Sequence, residues 1–507
     1  MSPRTASSAP STLVRFDPGA GAPAYRQICD SLRDAIVSGR LAAGAHLPGT
    51  RVLADELGVS RNTVNGALAH LRAEGYVVAR PRTGVFVNDL LPDAVLTVSW
   101  RRPAPARGDA HRPRATVRRT LGSARSAALA KLPLGAGRSI VQPARPFQTG
   151  VPAMDAFPWS LWARLLGRCA RHFGATIGGY GPVLGHVPLR EAVAAYVAAA
   201  RGARCTADQV VVTAGAQQGL DLVARVLVDP GDTVWLEDPG YPAVRGVFTA
   251  AGARIEPIAL DAEGFQVPAG DDPGPRAVYV TPSRQYPTGV TMSAARRLQL
   301  LRWADRVDTW IVEDDYDSEF RYSSRPLNCL QGLDENDRVI YVGTFSKNVF
   351  PGLRLGYLIV PRDLVEPFEA ARAVADRQPP AIEQAVLAEF IRSGHLARHV
   401  RRMRSLYAER RDALLGAARE HLGERVEFGD TAAGMLALAW LPRGISDRDA
   451  SRRALAAGIE TPPLSAYAIR PPPRGGLLLG YAAFPPRELR EAMRRLGSAL
   501  KEAGLRR

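Results

Sequence analysis

A chain of 507 residues is too long for one ordinary hydrophobic core, so two or more domains are expected. Its 46% hydrophobic and 23% charged content is that of a soluble globular protein; no apolar run reaches membrane-spanning length, and the Ser-, Pro- and Thr-rich N-terminus lacks the apolar stretch of a secretion signal. The net charge of +16 points to an anionic partner, nucleic acid first, while the scattered Cys29, Cys169, Cys205 and Cys329 fit free thiols of a reducing cytoplasm better than a disulfide framework or a metal centre.

From about Ala24 to Val87 the pattern predicts three helices and a hairpin. Ile28, Leu32, Ala35 and Ile36 recur at helical spacing over Ala24–Ser38, and a short helix after Pro48 carries Val52, Leu53 and Leu57. Gly58 stops that helix, Ser60 caps the next, and Val64, Ala67, Leu68 and Leu71 form its apolar stripe. Tyr76–Ala79 and Val85–Val87 then pair about a Pro-Arg-Thr-Gly tip, the wing of a winged helix-turn-helix. Ser60, Arg61, Asn62, Thr63 and Asn65 open the third helix, where groove-reading residues sit, and Arg51, Arg80 and Arg82 are placed for phosphates. A solvated protein-binding module is the competing reading.

The run Leu47-Pro-Gly-Thr-Arg-Val-Leu-Ala-Asp-Glu-Leu-Gly-Val-Ser-Arg-Asn-Thr-Val64, with Ala73-Glu-Gly-Tyr76 and Gly84-Val-Phe-Val87, resembles the GntR-type winged-helix domain. Gly49 stands where that family commonly has serine, and Arg82 where it has a wing glycine. Residues 1–90 are therefore expected to bind double-stranded DNA. Residues 91–145 are rich in arginine, alanine and proline and nearly devoid of acids, which reads as a basic flexible linker; Arg101, Arg102, Arg112, Arg114, Arg118 and Arg119 fall within it.

Across residues 146–507 short apolar strands alternate with long helical patterns, which predicts an α/β domain with a mostly parallel sheet. The strands are expected at Gln209–Thr213, Thr233–Leu236, Ala277–Thr281, Thr309–Glu313 and Val339–Gly343, and unusual residues follow each one, where such sheets bind ligands. Gly215-Ala216-Gln217 opens a helix suited to a phosphate, and Tyr241 ends Glu237-Asp-Pro-Gly-Tyr241. Thr281 to Gly289 follows the third strand and Glu313-Asp-Asp-Tyr-Asp317 the fourth; the fifth runs into Gly343-Thr-Phe-Ser-Lys-Asn-Val-Phe-Pro-Gly-Leu-Arg354.

Of 66 basic residues only Lys131, Lys347 and Lys501 are lysines, and a lysine can form a Schiff base where an arginine cannot. Lys347 for an aldehyde, Asp314 for a ring nitrogen and a phosphate cup together describe pyridoxal 5'-phosphate (PLP). Tyr316 is then assigned to the ring oxygen and Tyr241 to the ring face. Thr344, Ser346 and Arg354, with the N–H groups of Ala216 and Gln217, are assigned to the phosphate.

The same segments, with Tyr180-Gly-Pro-Val-Leu-Gly-His-Val-Pro-Leu-Arg190, look like fold type I aminotransferases. With the N-terminal domain they resemble the MocR subfamily of transcription regulators, PdxR-like members among them. That resemblance implies a cytoplasmic homodimer, head-to-tail with exchanged domains, on an operator of two short repeats, with Tyr180 reaching the neighbouring subunit's phosphate. It also implies control by PLP or an amino acid over vitamin B6 synthesis or amino-acid metabolism. Three departures bear on catalysis. Tyr286-Pro-Thr-Gly replaces Asn-Pro-x-Gly, Arg284 replaces a histidine, and Leu477-Leu-Leu-Gly-Tyr481 has leucine where aminotransferases carry the carboxylate-gripping arginine of Arg-Leu-x-Phe. Arg245 and Arg470 are the candidate substitutes. A working aminotransferase tethered to DNA, and a sheet domain that only dimerises, are the alternatives.

Overall fold

The computed structural model describes residues 14–89 except 15, 20 and 82, residues 123–132 except 131, and residues 144–501 except 271–272 and 323–327. The chain divides into two compact units, Met1–Arg118 and Arg119–Arg507.

In the first unit the apolar stripes fold as predicted. Helix α1 (Ala24–Val37) packs on α3 (Arg61–Ala73), with α2 (Thr50–Leu57) across one end. Ile28, Leu32, Ile36, Leu53, Val64, Leu68 and Leu71 close one core. Gly58 ends α2 in the left-handed conformation, and Ser60 caps α3 by accepting from the Thr63 N–H. The wing is β1 (Val77–Arg80) paired antiparallel with β2 (Gly84–Val87). His46 was not foreseen as part of it: its ring reaches the Thr83 carbonyl at 3.0 Å and packs on Phe86. A Cβ on Gly84, which has φ +111°, would stand 2.5 Å from His46 Nε2, so glycine is required there.

The second unit is built on an eight-stranded sheet. Its strands are β3 (Val210–Thr213), β4 (Thr233–Asp238), β5 (Arg254–Asp261), β6 (Gly264–Phe265), β7 (Ala277–Val280), β8 (Trp310–Asp315), β9 (Val339–Thr344) and β10 (Gly356–Ile359). Their spatial order is β3-β10-β9-β8-β7-β4-β5-β6, with β9, β8, β7, β4 and β5 mutually parallel. β10, not foreseen as a strand, enters antiparallel between β3 and β9 and so carries Lys347 and Arg354 to one edge of the site. Pleating puts Val210 and Val212 in one core and Val211 in another.

Helices α4 (Trp159–Ile177), α5 (Val187–Arg201), α6 (Ala216–Leu227), α7 (Pro242–Ala251), α8 (Ala294–Arg306), α9 (Val365–Ala375), α10 (Ala381–Arg392) and α11 (His395–Leu422) cover the sheet and build the body. A smaller layer follows: β11 (Glu427–Phe428), β12 (Leu436–Trp440) and β13 (Gly476–Gly480) form an antiparallel sheet with α12 (Asp447–Ala456) and α13 (Pro486–Lys501). Within the stretch read as a flexible linker, Ala124–Leu129 is helical and lies against α7, with Ser123 accepting from Ser126 N–H as its cap. The linker arginines named above lie outside the described residues.

Candidate cofactor and nucleic-acid sites

The predicted ligand residues of the larger unit converge, Tyr180 and Arg470 excepted. β9 delivers Lys347, whose Nζ donates to the Gly150 carbonyl at 2.9 Å. Gly150 has φ +80°, and a Cβ there would stand 3.0 Å from Nζ, so only glycine leaves the amine room. Burial lowers the amine's pKa, Asp317 and Asp314 oppose the shift, and Arg354 adds to it. A larger share of neutral amine results, the form that attacks a carbonyl.

β8 delivers Asp314, buried beneath the same site. Its Oδ2 accepts from the Tyr279 hydroxyl at 2.7 Å, while Oδ1 is buried without a partner. Burial pushes this carboxyl up to about 7, with Tyr279 and Lys347 pulling it down and Asp315 raising it. The acidic run is desolvated and braced. Arg201 Nε donates to Asp315 at 2.6 Å, Tyr341 donates to the same oxygen at 2.7 Å, and Glu313 accepts from the Leu330 and Gln331 N–H groups.

An anion cradle lies between β3 and β10. Gly215 precedes α6 with φ +92° and no side-chain cap, which leaves the first N–H groups of the helix, Ala216 and Gln217 among them, directed outward. A Cβ on Gly215 would fill the cradle, 3.3 Å from Arg354 Nη2, and Arg354 donates to the Ala214 carbonyl at 3.1 Å. Thr344 Oγ1 accepts from the Ser346 N–H at 3.2 Å, which fixes the loop before Lys347.

Aromatic rings wall the opposite side. Tyr241 donates to Gln217 Oε1 at 3.2 Å, and burial pushes its phenol up to about 12. Tyr286 stands edge-on to Tyr241, Tyr316 and Tyr467 at centroid distances of 5.9, 5.5 and 5.6 Å. The tyrosine that replaces asparagine is thus the hub of a ring cage. Arg245 lines a cavity with Glu237, Tyr241, Tyr279 and Tyr467. Arg470 is exposed and is tied to Asp238 only through its backbone N–H, so its side chain does not join this group. Tyr180 also stands apart, 85% exposed, with the Arg377 guanidinium 4.7 Å above its ring.

Sequence reasoning passed over Gly150, Tyr279 and Glu237. Gly150 and Tyr279 lie in unremarkable local sequence. Glu237, pushed up to about 7 by burial, accepts from Thr281 at 2.6 Å and Gln285 at 3.1 Å; its place after an apolar strand was the available signal.

In the first unit Arg51, Ser60, Arg61, Asn62 and Asn65 are exposed and Thr63 is half-buried at the start of α3. Arg80 lies over Phe86 at 4.6 Å and 3.7 Å from Asp89. Arg82 lies outside the described residues.

The profile of the gntR family of bacterial regulatory proteins matches residues 24–87, and that of aminotransferase class I and II matches residues 166–496. The probable rhizopine catabolism regulatory protein MocR of Rhizobium meliloti is 41% identical, with 96% of both chains aligned. The pyridoxine biosynthesis regulator PdxR of Corynebacterium glutamicum is 32% identical over 76% of each chain. Among solved structures, the alpha-aminoadipate aminotransferase LysN of Thermus thermophilus, complexed with N-(5'-phosphopyridoxyl)-L-leucine, is 29% identical with a TM-score of 0.66, covering 75% of this chain and 95% of its own.

Proposed function

The chain belongs to the MocR group of gntR-family regulators and is a PLP-dependent, DNA-binding transcription regulator with an aminotransferase-like domain of fold type I; on that premise we propose that the larger unit senses PLP, alone or with a small amine such as an amino acid, through Lys347. The observation that carries this reading is the convergence of a buried, unpartnered Asp314 Oδ1, the Lys347 amine and the Gly215–Arg354 cradle. These are the donor set that a pyridine ring, an aldehyde and a phosphate require, so the residues fit the cofactor.

When bound, PLP supplies an aldehyde for primary amines and an electron-withdrawing ring. Lys347 Nζ would be the attachment point, and Asp314 Oδ1 would hold the proton on the ring nitrogen. Tyr316 would meet the ring oxygen, and Tyr241 would cover the ring face. Arg354, Thr344, Ser346 and the backbone of Ala216 and Gln217 would hold the phosphate. Tyr279 keeps Asp314 in place through its hydroxyl.

In the winged helix, Ser60, Arg61, Asn62, Thr63 and Asn65 would face base edges, and Arg51 and Arg80 would face phosphates. Exposed Tyr180 suits a contact with a second copy, so we read the working form as a cytoplasmic homodimer, head-to-tail, on two short repeats. No helix among the described residues is long and apolar enough to cross a membrane. Its targets, by analogy with the two named regulators, are genes of vitamin B6 supply or amino-compound metabolism.

The test is the affinity of the full chain for its operator with and without PLP. A several-fold change is expected, because a ligand shifts an equilibrium only by binding one arrangement better. Equal affinities overturn the reading.

A further inference from the structure

The packing of α1 on α3 in the first unit brings together three groups that ligate metals, which their spacing along the chain does not reveal. Cys29 lies on α1 and is 3% exposed. His70 sits in the last turns of α3, and Glu74 caps that end four residues on, so both share one face. The Cys29 sulfur, a His70 ring nitrogen and a Glu74 carboxylate oxygen all lie within 4.8 Å of one another. His70 Nδ1 is 4.0 Å from the sulfur and 3.3 Å from Glu74 Oε1. Bonds of about 2.0–2.3 Å to a tetrahedral ion hold its ligands roughly 3.3–3.7 Å apart, so the two edges that meet at His70 are nearly formed.

Arg33 holds the carboxylate in the orientation such a site needs. Its Nη2 and Nε donate to Glu74 Oε2 at 2.7 and 3.2 Å, which leaves Oε1 turned to His70, and the same Nη2 is 3.5 Å from the Cys29 sulfur. Outer donors of this kind fix ligating atoms in place. The charges also close. A thiolate and a carboxylate balance a dication, and Asp30, 2.5 Å from Arg33 Nη1, balances the guanidinium. The sulfur faces the core, whereas the His70 and Glu74 side chains are 55% and 32% exposed, so an ion can enter from solvent and a water can complete its shell.

We propose that Cys29, His70 and Glu74 form a binding site for a divalent transition metal of the zinc class, with Arg33 as the positioning residue for the carboxylate. Sulfur and imidazole ligands select such ions over magnesium and calcium. Coordination sends the Cys29 thiol proton to solvent and takes the His70 Nδ1 lone pair, the ring proton then residing on Nε2. The ion would tie α1 to the end of α3 remote from Arg61, so it braces the winged helix without touching DNA.

The probe is Co2+. Full-length protein loaded with PLP is freed of excess cofactor, stripped of metal by dialysis against EDTA, and titrated with Co2+ against the same protein without cobalt. One ion per chain is expected, with a thiolate-to-cobalt charge-transfer band and visible d–d bands that Zn2+ removes and Mg2+ leaves unchanged. Cys29→Ala should abolish the charge-transfer band. His70→Ala, at an exposed position, should keep the fold, checked by circular dichroism, and weaken Co2+ binding roughly a hundred-fold or more, since even outer-shell partners are worth roughly ten- to a hundred-fold. Absence of cobalt bands overturns the proposal. Bands that survive Cys29→Ala belong to another cysteine and overturn it too, as does an unchanged affinity in His70→Ala. The His70→Ala result decides even where Cys29→Ala fails to fold.

Discussion

The two units hold their functional residues in opposite ways. In the winged helix the residues proposed to face DNA are mostly exposed, and what positions them is local: Ser60 capping α3, and Gly84 yielding to His46 under the wing. In the larger unit the polar groups are buried, and each depends on a partner far along the chain: Asp314 on Tyr279, Lys347 on Gly150, Arg284 on Leu436. Reading a phosphate surface needs charge at an exposed place, whereas a desolvated cofactor site needs every polar atom matched or reserved for the ligand. Changes in the first unit should therefore act singly, and changes in the second should propagate.

The largest effect is expected at the second unit's centre. Lys347→Ala should abolish the visible absorbance of the PLP-loaded protein, read in a simple spectrum. Next is Arg61→Ala, which should weaken operator binding by roughly ten- to a hundred-fold in a fluorescence titration, the usual worth of a base-edge arginine. A loss of PLP binding in the same variant would blur the contrast between the units. Tyr279→Phe never touches the cofactor but strips Asp314 of its donor. PLP affinity should fall roughly ten-fold, since an orphaned buried acceptor costs about 1–3 kcal/mol. An unchanged affinity would mean that the buried site tolerates loss of a supporting hydrogen bond as easily as a surface does.

The smallest effect concerns pH. Burial holds Asp314 at about 7 in the folded chain, above a free carboxyl, so the PLP-free native state binds more protons than the unfolded one. Stability is then lost as pH rises from the ordinary carboxyl range to about 7. Asp314→Asn should flatten urea midpoints across that window, though only in part, because Glu237, Glu313 and Asp317 are also pushed up to about 7.

Strand ends show what could be read in advance. β4 and β8 were expected to stop at Leu236 and Glu313, where the apolar runs end, yet they continue to Asp238 and Asp315. The acidic residues at these strand ends are held by Thr281, Tyr341 and Arg201, which lie on other elements. β10 escaped notice because its four residues follow the Lys347 loop without a clear turn. By contrast, the helices of the first unit were legible nearly to the residue, because caps and stripes act within a few positions.

The sequence by itself determined the two-domain plan, the winged helix, the parallel sheet and the convergence on Lys347, since each rests on periodicity, turn residues or a motif at one place in the chain. Only the tertiary structure decided that Arg284 is a strut and that Asp314 keeps one oxygen free. Those facts depend on which face of a strand meets which distant side chain, and that is settled by packing between elements far apart in the chain.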